Sequence, residues 1–258
     1  MHTNTLFSRY TSVIKSVSSD NFNANNLPDE FKIDSQENLS TWYAPFDFVN
    51  KNAQIVIVGI TPGHQQAKNA ILKAKDSLLS GKSEEQAMQE AKVYASFSGP
   101  IRKNLTSMLD FVGINQVLNI ETTQSLFSER SDLVHFTSAL RYPVMRNGKN
   151  YSGTPSMVKN TYLKSHLKKW FATECATLPN AIYVPLGPKV AEALFLLADE
   201  GIINKNKILD GLPHPSGANA ERINYFLTKK RKEDLSSKTN SDTIDTAKNK
   251  LLKKVAKL

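Results

Sequence analysis

Cysteine is almost missing from this chain: Cys175 is the only one in 258 residues. A single thiol makes no intrachain disulfide, and it excludes a zinc site built on several thiolates or a four-cysteine iron–sulfur cluster. Histidine is sparse as well. His2, His64, His135, His166 and His214 stand far apart, none at the close spacing of a metal motif, so no metal and no organic cofactor is expected. No apolar run reaches the eighteen or so residues of a membrane span. The opening MHTNTLFSRYTSVIKS lacks the apolar stretch with small residues that a secretory signal needs. The expectation is a soluble, cytoplasmic, monomeric protein with no membrane contact. Three catalytic signatures are also missing: no Gly-Lys-Ser/Thr completes a P-loop, no GxGxxG marks a dinucleotide fold, and no GxSxG marks a nucleophile elbow.

What the chain does have is positive charge: 33 Lys and Arg against 24 Asp and Glu, a formal +9. Such an excess favours a polyanionic partner such as nucleic acid, although a lysine-rich surface also serves solubility alone. The charge is uneven. From Thr228 to Leu258 there are ten Lys and Arg against four Asp and Glu. This stretch has few large apolar residues and reads as a flexible basic tail, residues 228–258, whose closing KLLKKVAKL makes at most a transient amphipathic helix. Residues 1–227 read as one α/β domain with an N-terminal helical extension.

Along that domain, residues 3–18 place Leu6, Tyr10 and Val13 on one face of a short helix. Trp42-Tyr43-Ala44-Pro45-Phe46 reads as a packed aromatic loop. Gln54–Val58 is short, apolar and rich in branched residues, the pattern of a buried parallel strand. Residues 65–95 read as one or two helices broken near Ser80-Gly81. Residues 100–112 space Ile101, Leu105, Met108, Leu109 and Val112 for burial. Two further strands are expected at 132–137 and 181–185, the latter followed by a helix that Gly201 stops, and the start of a fourth at Ile208-Leu209. Alternating strands and helices predict a three-layer α/β/α sandwich around a central, mostly parallel four-stranded sheet. Ligands of such sheets sit at the carboxyl ends of the strands. The unusual stretches 59–64, 138–156 and 211–219 each follow a candidate strand, and so point to one cleft.

Each stretch has its own chemistry. Gly59-Ile60-Thr61-Pro62-Gly63-His64 is a tight turn whose amides and Thr61 hydroxyl can orient a polar ligand or a water, or serve only as a turn. In Pro213-His214-Pro215-Ser216-Gly217 two prolines hold the histidine, and Ser216 with nearby amides suits an anion such as a phosphate. Arg141 to Gly153 combines Arg141, Arg146, Lys149, Tyr142 and Tyr151 in an expected loop, a mixture suited to a phosphate backbone and stacked bases.

Taken in order, IVIVG-x-x-PG, ASFSGPIRKNLTSMLDFVGI, VHFTSALRYPV, AIYVPLGPKVAEAL and LPHPSGAN resemble the uracil-DNA glycosylase superfamily over about residues 53–227. The resemblance implies a DNA glycosylase that flips a nucleotide out of the stack and hydrolyses the N-glycosidic bond of a uracil-like or modified pyrimidine. Gly59, Pro62 and Gly63 match the family's water-activating loop, with Ile60 beside the base and Thr61 where many members have Asp or Asn. Phe97 matches the aromatic that stacks on the base, with Ser98-Gly99 beside it. Ser138 falls near the base-reading Asn, and His64 is expected with it among the residues that bind the base. Gly187 matches the glycine after the third main strand. His214, Pro215 and Ser216 match the loop that contacts base and phosphate, continued by Gly217 and Asn219. On this reading His214 stabilises the departing base, Thr61 places water, and Asp47 is a candidate for activating it. Gly63, Arg141, Arg146, Lys149, Tyr151, Ser216, Gly217 and Asn219 would contact DNA, duplex or single-stranded. Threonine has no carboxylate and serine has one short hydroxyl. Both point to altered specificity, a bulky modified base in place of uracil, or to a related protein that binds DNA or a protein partner without turnover.

Overall fold

A computed structural model describes residues 6–22, 26–97 and 99–258. Ser98, expected beside the stacking aromatic, and the first residues of the expected N-terminal helix lie outside them. The chain divides into two compact units. The first holds residues 1–49, 60–96 and 136–174, and the second residues 50–59, 97–135 and 175–258.

In the first unit, α1 (Leu6–Ser16) is followed by the hairpin of β1 (Lys32–Gln36) and β2 (Leu39–Trp42). In the second, β3 (Ile55–Gly59) is buried at every residue, as its unbroken apolar run requires. Back in the first unit, α2 (His64–Leu79) and α3 (Glu84–Ala95) meet at the predicted Ser80-Gly81 break. Ser83 caps α3 by accepting from the Gln86 amide at 3.2 Å. The small faces of these helices (Ala67, Ala70, Ala74, Ala87, Ala91 and Ala95) are buried around Phe7, Ile14, Phe31 and Tyr43 in a continuous core.

The second unit continues with α4 (Pro100–Phe111), α5 (Ile114–Val117) and the start of β4 (Val134–Ser138). Proline opens α4 at a position where its missing N–H is no loss. After β4 come β5 (Val144–Arg146), β6 (Lys149–Asn150) and α6 (Thr161–His166), continued by a π-helical turn over Leu167–Ala172 and α7 (Thr173–Ala176). The chain then runs through β7 (Ile182–Pro185), α8 (Pro188–Asp199), α9 (Ala220–Phe226) and α10 (Ser241–Val255).

The strands form two sheets, not the one predicted. A parallel sheet has three strands in the order β4-β3-β7, and an antiparallel sheet has four in the order β1-β2-β5-β6. The expectation of a single central four-stranded sheet in a three-layer sandwich is therefore corrected. Its fourth strand fails for a local reason. Ile208 makes one parallel bridge to Tyr183 and the Leu209 amide donates to the Tyr183 carbonyl at 2.8 Å. Gly211 then turns at φ 127° and Pro213, with no N–H, cannot extend a ladder. The second sheet takes in residues 144–150, expected as loop. Arg146-Asn147-Gly148-Lys149 forms a hairpin turn with Asn147 at φ 49° and Gly148 at φ 69°, the left-handed pair that Asn-Gly favours.

The basic segment after Thr228, expected as a flexible tail, carries α10 with Leu251 and Val255 buried. No helix among the described residues is long and apolar enough to cross a membrane.

Candidate functional site

The residues singled out from the sequence fall into both units. Asp47, Ile60, Thr61, Gly63, His64, Ser138, Arg141, Arg146, Lys149 and Tyr151 lie in the first, and Phe97, His214, Ser216, Gly217 and Asn219 in the second.

In the first unit the turn after β3 is woven into its surroundings. The Ile60 carbonyl accepts from the Leu140 amide at 3.0 Å. The Thr61 hydroxyl donates to the Tyr142 carbonyl and accepts from the Val144 amide, both at 3.0 Å. It thus pins the turn to the strand β5. The Asn150 side chain accepts from the His64 amide at 2.9 Å, and a Cβ on Gly63 would stand 3.4 Å from that same side chain. His64 is buried with its Nε2 unpartnered, and Ser138 is buried at the end of β4.

Asp47 sits in a phenolic cage. It accepts from Tyr142 at 2.6 Å and from Tyr43 at 2.9 Å, one bond on each oxygen. Burial raises its carboxyl above the usual range, while the two tyrosines act in the opposite sense. Nearby, the buried Lys92 donates to the Phe46 carbonyl at 3.0 Å and the Phe48 carbonyl at 2.6 Å, and burial lowers its amine to about 8. Arg141 is not presented to solvent. Its guanidinium meets Glu174 at 2.6 Å and the Trp170 carbonyl at 2.9 Å, and the Glu174 side chain is 1% exposed. Tyr151 is buried, with its hydroxyl on the Pro155 carbonyl. Of the cations expected on phosphate, Arg146 and Lys149 are the exposed ones. Arg146 donates to the Thr154 carbonyl at 3.1 Å.

The second unit holds the histidine loop. His214 is half-buried, and burial lowers its imidazole below the usual histidine range. The Ser216 amide donates to His214 Nδ1 at 3.3 Å. A neutral ring that accepts on Nδ1 carries its proton on Nε2. His214 is thereby set as a neutral Nε2–H donor. The loop around it is fixed from several sides. Asn104 of α4 donates to the Pro215 carbonyl at 2.9 Å, and Asn219 donates to the Ser216 hydroxyl at 3.2 Å. Gly187, at φ 99°, opens α8 beside the loop, where a Cβ would meet the His214 Cβ at an ordinary contact distance of 3.7 Å. Phe97 stands at φ 46°, its carbonyl accepting from Arg102 at 3.3 Å.

Sequence reasoning missed Asn104 and Asn150. Each is a polar residue in an otherwise ordinary element, and nothing in local spacing marks it. It also missed a cavity of about 660 Å³ within the second unit. Gly187, Phe195, Leu212 and His214 line it together with Asn240 and Ile244 of the C-terminal segment. Among the described residues no cluster of His, Cys, Asp and Glu is arranged to hold a metal.

No family model and no solved structure matches the chain. The two-sheet topology by itself overturns the single-sheet, uracil-DNA-glycosylase-like architecture expected from the motifs. A curated protein is similar over most of its length: "Uncharacterized protein YoxB" of Bacillus subtilis (strain 168) is 36% identical over 218 residues. The match covers 83% of this chain and 84% of that protein. At that identity and coverage, this chain belongs to the same family as YoxB.

Proposed function

We propose that the chain is a DNA glycosylase, releasing a flipped pyrimidine by hydrolysis of its N-glycosidic bond. The observation that carries this reading is His214. When a base leaves C1′, negative charge gathers on the base. A neutral imidazole with its proton on Nε2, held between two prolines and anchored through Asn104, is a preorganised donor for that charge. A donor that needs no reorientation acts fully at the moment of bond breaking. The formal +9 charge supports an anionic polymer as substrate.

The Thr61 hydroxyl, engaged at both its donor and its acceptor sides, and Asp47, with each oxygen taken by a tyrosine, favour a second reading. In that reading the protein binds DNA without turnover. The two are separated by incubating the protein with oligonucleotides, duplex and single-stranded, that bear uracil, mismatched thymine or bulky 5-substituted pyrimidines, followed by alkali. Strand breaks above those of a His214→Ala variant support the glycosylase. Salt-dependent binding with no breaks supports the binder, and absence of both removes DNA from the account.

A further inference from the structure

The C-terminal segment grips both ends of the histidine loop. On the side entering the loop, Asp210 receives Lys254 at 2.6 Å and Lys250 at 3.3 Å, and Lys254 also donates to the Ile208 carbonyl at 2.7 Å. Gly211 faces α10 so closely that a Cβ on it would lie 2.8 Å from the Ala247 carbonyl oxygen. On the side leaving the loop, Glu221 accepts from the Ser236 hydroxyl at 2.6 Å, the Thr239 hydroxyl at 2.5 Å and Lys230 at 2.7 Å. Arg222 joins the Lys238 carbonyl at 3.2 Å to the Asn219 side chain at 3.0 Å. Tyr225 donates to Asp245 at 2.7 Å.

Those contacts also change what the basic charge can do. Lys230, Arg231, Lys232, Lys248, Lys250 and Lys254 each meet a carboxylate of this same chain within 4 Å. Each of these pairs ties the segment to itself or to the loop flanks it packs against. The segment is built to hold its own fold.

We infer that residues 228–258 are a positioning element for His214: α10 and the turn before it hold residues 210–211 and 219–225, and thereby fix where the imidazole points. The inference rests on the reading of His214 as the group that stabilises the leaving base. Gly211, which faces the Ala247 carbonyl, and Lys254, which holds Asp210 and the Ile208 carbonyl, act through the loop and are positioning residues. Pinning a nine-residue loop at both flanks removes the freedom that would let the ring and its Ser216 partner drift apart.

The test is nitrogen-15 NMR of the histidine side chains in the full chain, with the His214 signals assigned by their loss in His214→Ala. The native protein should show two well-separated His214 nitrogen resonances, the protonated one being Nε2. In Gly211→Ala the new methyl has no room against the Ala247 carbonyl. The two His214 resonances should then move toward a tautomer-averaged position, while those of His64, His135 and His166 stay in place. A double variant, Lys250→Ala with Lys254→Ala, should shift them in the same direction. If Gly211→Ala fails to fold, seen as loss of dispersion at His64, His135 and His166, the double variant alone decides. Unmoved His214 resonances in the folded variants would overturn the inference. If the native protein releases a base, Gly211→Ala should lower kcat by about a hundredfold with KM unchanged. If it releases none while the resonances move, the positioning role stands and the glycosylase reading falls.

Discussion

Replacing Glu174 by glutamine removes one charge from a place where the second cannot follow. Arg141 lies 12% exposed against a Glu174 side chain that is 1% exposed, with oxygen and nitrogen 2.6 Å apart. Glutamine keeps the shape and an acceptor oxygen, but takes from the buried guanidinium the carboxylate in contact with it and leaves only the more distant Asp47. The buried Lys92 is a second cation in the same cluster. Breaking one partner of a buried pair costs about 3–5 kcal/mol. With a urea slope of at most about 3 kcal/mol per molar, the midpoint should fall by about 1 M or more at unchanged slope. Removing both charges, as Arg141→Met with Glu174→Leu, should restore much of the loss, because the contact pair goes as a unit and the buried Lys92 keeps Asp47 as a neighbouring carboxylate. The same double variant should bind DNA with the native affinity and the native salt dependence, since a guanidinium spent on Glu174 and Trp170 does not reach a phosphate. A Glu174→Gln midpoint within roughly 0.2 M of native would refute the stability argument. A clear drop in the salt slope of the double variant would return Arg141 to the phosphate backbone.

Thr61→Val should cost about 1–3 kcal/mol in urea melts by orphaning the Val144 amide, while Thr61→Ser keeps the bridge and should cost less. Lys92 gives a pH signature. Its folded value of about 8 lies below the unfolded 10.5, so the unfolded chain binds more protons between those values and stability should rise with pH across that window. Lys92→Met should lack the rise when stability is followed from pH 8 to 10. For His214, burial lowers the folded value below the unfolded one of about 6.5, so its share of stability is present above that pH and lost as pH falls. His214→Ala should melt with a shallower dependence between neutral pH and pH 5. Gly187→Ala should cost about 1–3 kcal/mol from strain at φ 99°, measured as a shift of the thermal midpoint.

Much of the local structure was legible because it depends on near neighbours. The branched run before Gly59 is a fully buried strand, and Ser80-Gly81 separates α2 from α3 where the apolar spacing breaks. The antiparallel sheet was hidden in a stretch read by its charges, although Asn147-Gly148 is a hairpin signal of its own and the turn residues adopt the positive φ it asks for. The single-sheet expectation treated Ile208-Leu209 as a strand on apolar content alone, when Gly211 and Pro213 limit it to one bridge. Composition marked the C-terminal segment as flexible because its apolar residues are few. Leu251 and Val255 seat α10 with polar contacts from Asp210 and Tyr225, far along the chain, while Glu221 holds the turn before it. The site shows the same division. The rigidity of His214 is written in its flanking prolines, but its proton position depends on the Ser216 amide and its anchoring on Asn104. Arg141 was read as a phosphate contact because its partner, Glu174, is 33 residues away and carries no local mark.

On the proposed reading, His214 stands ready as a neutral donor to a departing base. This claim is tested most directly by the intact mass of a single-turnover oligonucleotide substrate bearing a bulky 5-substituted pyrimidine. The native protein should convert it to a species lighter by the base and heavier by one water. His214→Ala, folded as judged by its unchanged far-UV spectrum, should leave the mass as it was. An unchanged mass with the native protein for every base in the panel would contradict the claim, as would equal conversion by His214→Ala.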